Sequence, residues 1–290
     1  MKMNRRRFLT ISAAFAATPA LAQSHSWQGR AFGAEVAIRL SGPTGRVQPA
    51  LHQARRIISQ MEQRFSLFQP TSELVRLNRQ GYLRPSAPFA ALFGIADTAH
   101  RITGGLFDPS VQPLWQALAA GDDPAGARAL IGWNRLSFDK GTICLAPGQA
   151  LTFNGIAQGF ATDAVADALA GAGFENALVN IGEFRATGGD WRLALEDPQH
   201  GLLATRRLEQ GAIATSSPLA TPLGGGGHIL HPTRTPRWST VSVEADRAAI
   251  ADALSTGLVF ADNALIRQVL QTEGVRRITL VDQQGDLTTL

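Results

Sequence analysis

Residues Leu151 to Asp163, LTFNGIAQGFATD, constrain the fold more than any other stretch of the chain. The apolar run Leu151-Thr152-Phe153 predicts a short strand. Gly155 and Gly159 bracket Ile156-Ala157-Gln158. An apolar-periodic segment then passes through Ala161, Val165, Ala168 and Leu169 and ends at Gly171 and Gly173, which predicts a helix. Strand, glycine turn and helix together aim backbone N–H groups at an anion. The residues match neither GxGxxG nor a P-loop, so on their own they read rather as a tight strand-to-helix turn that binds nothing.

The first residues are read apart from the fold. Asn4-Arg5-Arg6-Arg7-Phe8-Leu9-Thr10 is a twin-arginine pattern, followed by an apolar run from Ile11 to Leu21 and a small-x-small site at Ala20-Leu21-Ala22. That run is shorter than the roughly 20 residues a membrane-spanning helix needs. Residues 1–22 are therefore expected to be a twin-arginine export signal, with 23–290 the mature, periplasmic domain. Removing Lys2, Arg5, Arg6 and Arg7 from the 27 basic residues leaves 23, against 23 acidic ones. A neutral mature chain argues against nucleic acid as a partner, because that binding relies on neutralising phosphates. The single cysteine, Cys144, lies in the apolar Thr142-Ile143-Cys144-Leu145 and reads as a buried structural thiol. One cysteine excludes an internal disulfide and a cysteine-based metal site.

Elsewhere, alternation over Gly33–Leu40 predicts a half-buried strand, and Val47–Phe65 an amphipathic helix with Leu51, Ala54, Ile58 and Met61 on one face. Thr71-Ser72 can cap a short helix through Leu77-Asn78. Further helices are expected over Pro88–Ile102, closed by Thr103-Gly104-Gly105, over Val111–Ala119, and after Asp122-Asp123-Pro124. Strands are expected near Arg135–Asp139, Thr142–Leu145, Asn176–Ile181, Trp191–Glu196, Ala212–Thr215, His228–His231 and Thr240–Glu244. The C-terminal part reads as a helix over Asp246–Phe260 with Asp246 as N-cap, a helix over Asn263–Leu270, and a hairpin of Arg276–Asp282 with Leu287–Leu290. Strands and helices mix without regular βαβ alternation. The expected class is α+β, with mixed, largely antiparallel sheets flanked by helices in a single domain.

Several groups are able to carry chemistry. Asp252 and Thr256 stand four apart on a helix, so they share a face and offer hard oxygen ligands suited to Mg²⁺; the same spacing suits a solvated face. His228 follows Gly224–Gly227 at the mouth of a glycine loop, as a general base or as a surface histidine. Thr215-Ser216-Ser217 before Pro218 offers hydroxyls or a turn. Gly-x-Ser-x-Gly and His-x-x-x-His are both absent.

The order of these pieces resembles one family. Phe65-Ser66-Leu67-Phe68 with Ser72-Glu73-Leu74 and Leu77-Asn78 is similar to FS-x-[YF]…SEL…LN of the ApbE family, the FAD:protein FMN transferases. Thr103 to Val111 with Pro113-Leu114-Trp115 resembles TGGxFDPTVxPL, and Asn154 to Asp163 resembles GGIAKGYAVD. Val179-Asn180-Ile181-Gly182, Ala214-Thr215-Ser216, His228 to Pro232 and Asp252 to Thr256 resemble VNIGG, ATSG, HIIDP and DALAT.

The resemblance implies an Mg²⁺-dependent enzyme that takes FAD, joins FMN to a threonine of a partner protein and releases AMP. It implies Mg²⁺ held by the Gly155 carbonyl, Asp252 and Thr256, and His228 as the base that activates the acceptor. Phe32, Phe68, Leu106, Phe107, Asp108, Thr152, Gln158 and Ile229 would line the flavin nucleotide. An Mg²⁺-dependent FAD pyrophosphatase and an exported flavin carrier without chemistry are the alternatives. The signal and size resemble the exported branch that serves nitrous-oxide respiration, whose acceptor is a membrane-bound electron-transfer protein. Some positions depart from the family: Gln158 replaces a lysine or glutamate, His231 an aspartate, Ser217 and Glu183 glycines, and Arg234-Thr235 a Thr-Gly. Thr152 stands where many members carry aspartate.

Overall fold

A computed structural model describes residues 24–290; the export signal expected over 1–22 lies outside the described residues. The chain opens with a hairpin of β1 (Ser24–Ala31) and β2 (Ala34–Ser41). Its two-residue turn, Phe32 and Gly33, has φ of 51° and 77°, the geometry that matches strand twist. In β2 the buried side chains alternate, with Val36, Ile38 and Leu40 inward, as the sequence pattern requires.

Six helices and a small sheet come before the main sheet resumes. Helix α1 (Thr44–Phe65) buries Leu51, Ala54, Ile58 and Met61 along one face, and α2 (Glu73–Gln80) is capped by the Ser72 hydroxyl, which accepts from Val75 N. A short strand β3 (Tyr82–Leu83) leads into α3 (Ala87–Ile102), and α4 (Gln112–Ala120) follows a 3₁₀ turn at Pro109–Val111. The small helix α5 (Pro124–Arg128) precedes β4 (Ser137–Asp139) and β5 (Thr142–Cys144), which pair with β3 in a three-stranded sheet. Cys144 is exposed on this sheet and not buried as expected, because it falls on the outward side of a three-residue strand whose buried residue is Ile143.

Helix α6 (Ala157–Gly171) returns the chain to the main sheet at β6 (Ala177–Asn180). The long hairpin of β7 (Phe184–Asp197) and β8 (Gly201–Ser216) comes next, then a short hairpin of β9 (Pro222–Leu223) and β10 (Gly226–Gly227). Strand β11 (Thr240–Ala245), helices α7 (Ala248–Leu258) and α8 (Asn263–Leu270), and the hairpin β12 (Val275–Val281) with β13 (Leu287–Thr289) complete the chain. The eight strands are ordered β1-β2-β6-β7-β8-β11-β12-β13, and every neighbouring pair is antiparallel. The fold class is α+β, as the mixed element order implies.

Strand β6 explains how the layers stack. Ala177 and Val179 join the large core built with α1, α3 and α6, whereas Leu178 joins a smaller cluster with Trp191, Leu193 and Leu208 on the other face. A strand buried on both faces loses its polar alternation and reads as a continuous apolar run. A third cluster, around Val241, Leu254, Phe260 and Ile278, seats α7 and α8 on β11 and β12.

Two expected strands are irregular. Leu151–Phe153 is held by side-chain and loop partners: Asn78 Oδ1 accepts from Leu151 N, Asn78 Nδ2 donates to Leu151 O, and Thr152 N donates to Pro109 O. Its backbone needs are met without a neighbouring strand. His228–His231 likewise forms no strand: His228 N donates to Pro218 O, and Pro232, next in the chain, has no N–H to give a ladder.

Candidate functional site

Helices α6 and α7 cross at their N-terminal ends, and that crossing builds the site. A Cβ at Gly159 would lie 2.3 Å from Ala248 O and 2.9 Å from Ala249 Cα, so only glycine permits this approach. Each helix then satisfies the other. Gly159 N donates to Asp252 Oδ2 at 3.0 Å. Ala248 N and Ala249 N donate to the two carboxylate oxygens of Asp163, at 2.9 and 3.0 Å. The N-cap of α7 is therefore a carboxylate borrowed from α6. The expected cap, Asp246, turns outward and pairs with Arg276. Asp163 in turn meets Arg185 and Arg247.

Asp252 does not face solvent: it is 3% exposed and lines a cavity of about 370 Å³. The cavity also takes in Gly155, Gln158, Glu183, His228, Ile229 and Thr256. Burial pushes the Asp252 carboxyl up to about 7, and the nearby Asp163 charge adds to it against the Gly159 hydrogen bond. Burial and the charge of Asp252 raise the Glu183 carboxyl well above its usual range, although Thr215 N donates to it at 3.0 Å. Two buried acids that resist ionisation make the cavity a place where a cation gains.

The hydroxyls beside Asp252 are oriented by proton counting. Ser255 Oγ donates to Asp252 O, Ser216 Oγ lies 2.9 Å from Ser255 Oγ, and Thr256 Oγ1 lies 3.1 Å from Ser216 Oγ. Three contacts share three protons. Ser255 has spent its own, so Ser216 donates to Ser255 and Thr256 donates to Ser216. Thr256 Oγ1 keeps its lone pairs for the cavity. The Gly155 backbone is adjacent, since a Cβ there would meet Thr256 Oγ1 at 2.8 Å. Among the described residues no group of three or more His, Cys, Asp or Glu is placed to hold a metal ion. The donor set here is one or two carboxylates with neutral oxygens, which suits a hard cation such as Mg²⁺.

Across the cavity, His228 is set by the turn before it. The φ values of Gly224 (56°) and Gly225 (80°) close the β9–β10 hairpin, and a Cβ at Gly227 would lie 2.4 Å from Pro218 O. That approach lets both His228 N and Nδ1 donate to Pro218 O, at 3.0 and 2.9 Å. With Nδ1 protonated, the neutral ring carries its lone pair on Nε2, as a base requires.

Of the residues expected to meet the flavin nucleotide, Leu106, Phe107, Asp108, Thr152, Gln158 and Ile229 line the cavity. Asp108 also caps the 3₁₀ turn through Ser110 N and Ser110 Oγ. Phe32 and Phe68 are not among the lining residues. Phe32 N is tied to Glu62 in the β1–β2 turn, and Phe68 is 70% exposed. His231 holds the turn that follows it: its Nδ1 accepts from Thr233 N and Arg234 N. Burial and the Arg234 charge lower its pKa against Asp108, favouring the neutral ring that can accept. Glu196, Asp197, Pro198 and Trp115 also line the cavity and were not picked out from sequence. Asp197-Pro198 at a strand end is a turn signal, and nothing local marks it as part of a site.

The ApbE family model matches residues 32–279. FAD:protein FMN transferases of Vibrio cholerae and Haemophilus influenzae are 29% identical over 236 residues and 27% identical over 240. Each alignment covers 70% of this chain, with 71% and 69% of those proteins. The solved flavin transferase ApbE from Vibrio cholerae superposes with a TM-score of 0.79 at 24% identity, covering 93% of this chain and 97% of that one. The ApbE protein of Thermotoga maritima superposes at 0.82 with 22% identity, covering 92% and 96%. With a match across most of its length and the family's glycine turn, histidine loop and aspartate helix meeting in one cavity, the chain belongs to the ApbE family.

Proposed function

We propose that the chain is an FAD:protein FMN transferase that uses Mg²⁺ and a protein threonine as acceptor. The observation that carries this reading is the convergence of Gly155, Asp252, Thr256 and His228, from three distant parts of the chain, on one cavity. The Gly155 carbonyl, Asp252 and Thr256 would hold Mg²⁺, which when bound supplies positive charge against the diphosphate of FAD. His228 Nε2 takes the proton of the threonine hydroxyl. The threonine oxygen then bonds to the phosphorus of the FMN half, the bridging P–O bond breaks, and AMP leaves with the bond's electron pair. The apolar walls at Leu106, Phe107 and Ile229 exclude water from the attack line, favouring transfer over hydrolysis. Gln158 lies against Gly182, where a Cβ would meet its Nε2 at 2.5 Å; it supplies polar contact without the charge of the family lysine.

The twin-arginine pattern supports periplasmic action on a membrane-bound electron-transfer protein. The test is incubation with FAD, Mg²⁺ and a threonine-bearing acceptor. Equal amounts of AMP and flavin-labelled acceptor are expected, and His228→Ala should lose both. Free FMN without labelled acceptor identifies a pyrophosphatase. AMP release that is equally slow in wild type and His228→Ala identifies a carrier.

A further inference from the structure

Ser217 departs from the family glycine and is wired into a buried carboxylate. Asp197 is 3% exposed. Its Oδ1 accepts from Gln199 N at 2.8 Å and His200 N at 3.0 Å, and its Oδ2 accepts from Ser239 Oγ and Thr240 Oγ1, both at 2.6 Å. Burial opposes ionisation, yet these four donors hold the carboxyl below its ordinary range. An ionised carboxylate only accepts, so the Ser239 and Thr240 protons are both committed to it. Ser217 Oγ lies 2.6 Å from Thr240 Oγ1. Since Thr240 has no proton left for that contact, the Ser217 proton makes it. Ser217 and Asp197 both line the cavity. With its proton committed to Thr240, the hydroxyl of this lining residue has only lone pairs left to offer.

We propose that Ser217 is a specificity-determining residue that accepts a hydrogen bond from an N–H or O–H group of the bound dinucleotide, a selection for donors that a glycine at this position cannot make. The inference rests on the flavin-transfer reading. FAD carries suitable donors in both halves: the ring N–H and side-chain hydroxyls of the FMN half, and the amino and sugar hydroxyl groups of the AMP half. A ligand edge that presents an acceptor would meet lone pair against lone pair.

The test measures the Kd of FAD, FMN and AMP for wild type and Ser217→Ala in Mg²⁺, with thermal melting to confirm that the variant folds. The expected result is an about five- to tenfold weakening for FAD, in line with one neutral hydrogen bond. The same weakening should appear with whichever of FMN or AMP carries the donor and not with the other. An analogue of that half with the donor methylated should bind wild type and Ser217→Ala alike. Thr240→Val releases the Ser217 proton into the cavity, so wild-type discrimination against the methylated analogue should shrink in it. Unchanged FAD affinity in Ser217→Ala, or an equal loss with the methylated analogue, would overturn the inference while leaving flavin transfer standing. Absence of FAD binding by wild type would overturn both.

Discussion

Replacing Asp252 by asparagine should stabilise the metal-free protein above neutral pH and abolish its response to Mg²⁺. In the fold Asp252 titrates near 7, against an ordinary 3.8. Between about pH 4 and 7 the folded state thus holds a proton that the unfolded chain has released. Stability therefore falls as pH rises through that window. At about 1.36 kcal/mol per pH unit, the full cost above pH 7 is roughly 4 kcal/mol. The asparagine of Asp252→Asn keeps an amide oxygen for Gly159 N and carries no charge, so up to ~4 kcal/mol is recovered at pH 8 and none below pH 4. For a domain of this size that is several degrees of melting temperature. With Mg²⁺ at a hundredfold its Kd, wild type gains ~2.7 kcal/mol and the variant nothing. The assay is thermal melting of both proteins at pH 4, 6 and 8, in a chelator and in excess Mg²⁺. If Asp252→Asn melts below wild type at pH 8 in chelator, with the same gap at pH 4, the buried charge is already compensated by the protein. The argument for a cation at this position then fails.

The same titration makes Mg²⁺ affinity pH-dependent. Below about pH 7 a proton must leave Asp252 before the cation binds, so isothermal titration should show Kd tightening up to tenfold per unit from pH 5 to 7 and levelling above. Gly159→Ala puts a Cβ 2.3 Å from Ala248 O, a backbone atom that cannot rotate away; a loss of roughly 3 kcal/mol or more is expected in chemical denaturation. Asp163→Asn replaces one acceptor at the α7 N-terminus by a donor facing an N–H. It should weaken Mg²⁺ binding without changing the FAD affinity measured in chelator, because Asp163 touches the helix that carries Asp252 and Thr256 and does not line the cavity. His231→Asp keeps an acceptor for Thr233 N and Arg234 N and should retain activity, whereas His231→Ala frees those groups and should slow transfer.

The contrast between what the sequence disclosed and what it concealed follows from the range of the interactions. Helices α1, α3 and α6 were legible because one apolar face repeats along each of them, and β2 because its side chains alternate. The strand assigned to Leu151–Phe153 failed because Asn78, 73 residues away, supplies a side-chain substitute for a partner strand. The cap assigned to Asp246 failed for the same kind of reason. A carboxylate adjacent in sequence was set against Asp163, 85 residues from the amide it accepts from, and the nearer group found Arg276. Phe32 and Phe68, which the family resemblance implies for the flavin, stand outside the cavity lining, Phe32 in a hairpin turn and Phe68 70% exposed.

The site itself was recoverable only as an ordered set of fragments. Gly155, His228, Asp252 and Thr256 each suit an ordinary loop or helix face, and what joins them is a crossing of two helices made possible by glycine at 159. Once α6 and α7 touch there, Asp252 must be buried, its carboxyl must take the Gly159 amide, and Thr256 falls one turn further on the same face beside Gly155. The direction of the hydroxyl chain from Ser255 through Ser216 to Thr256 then follows from proton counting and needs no ligand to impose it. The face proposed to hold the cation is thus a consequence of how two helices pack. That is why substitutions at Gly159 and Asp163, neither of which is proposed to touch the cation, are expected to disturb it.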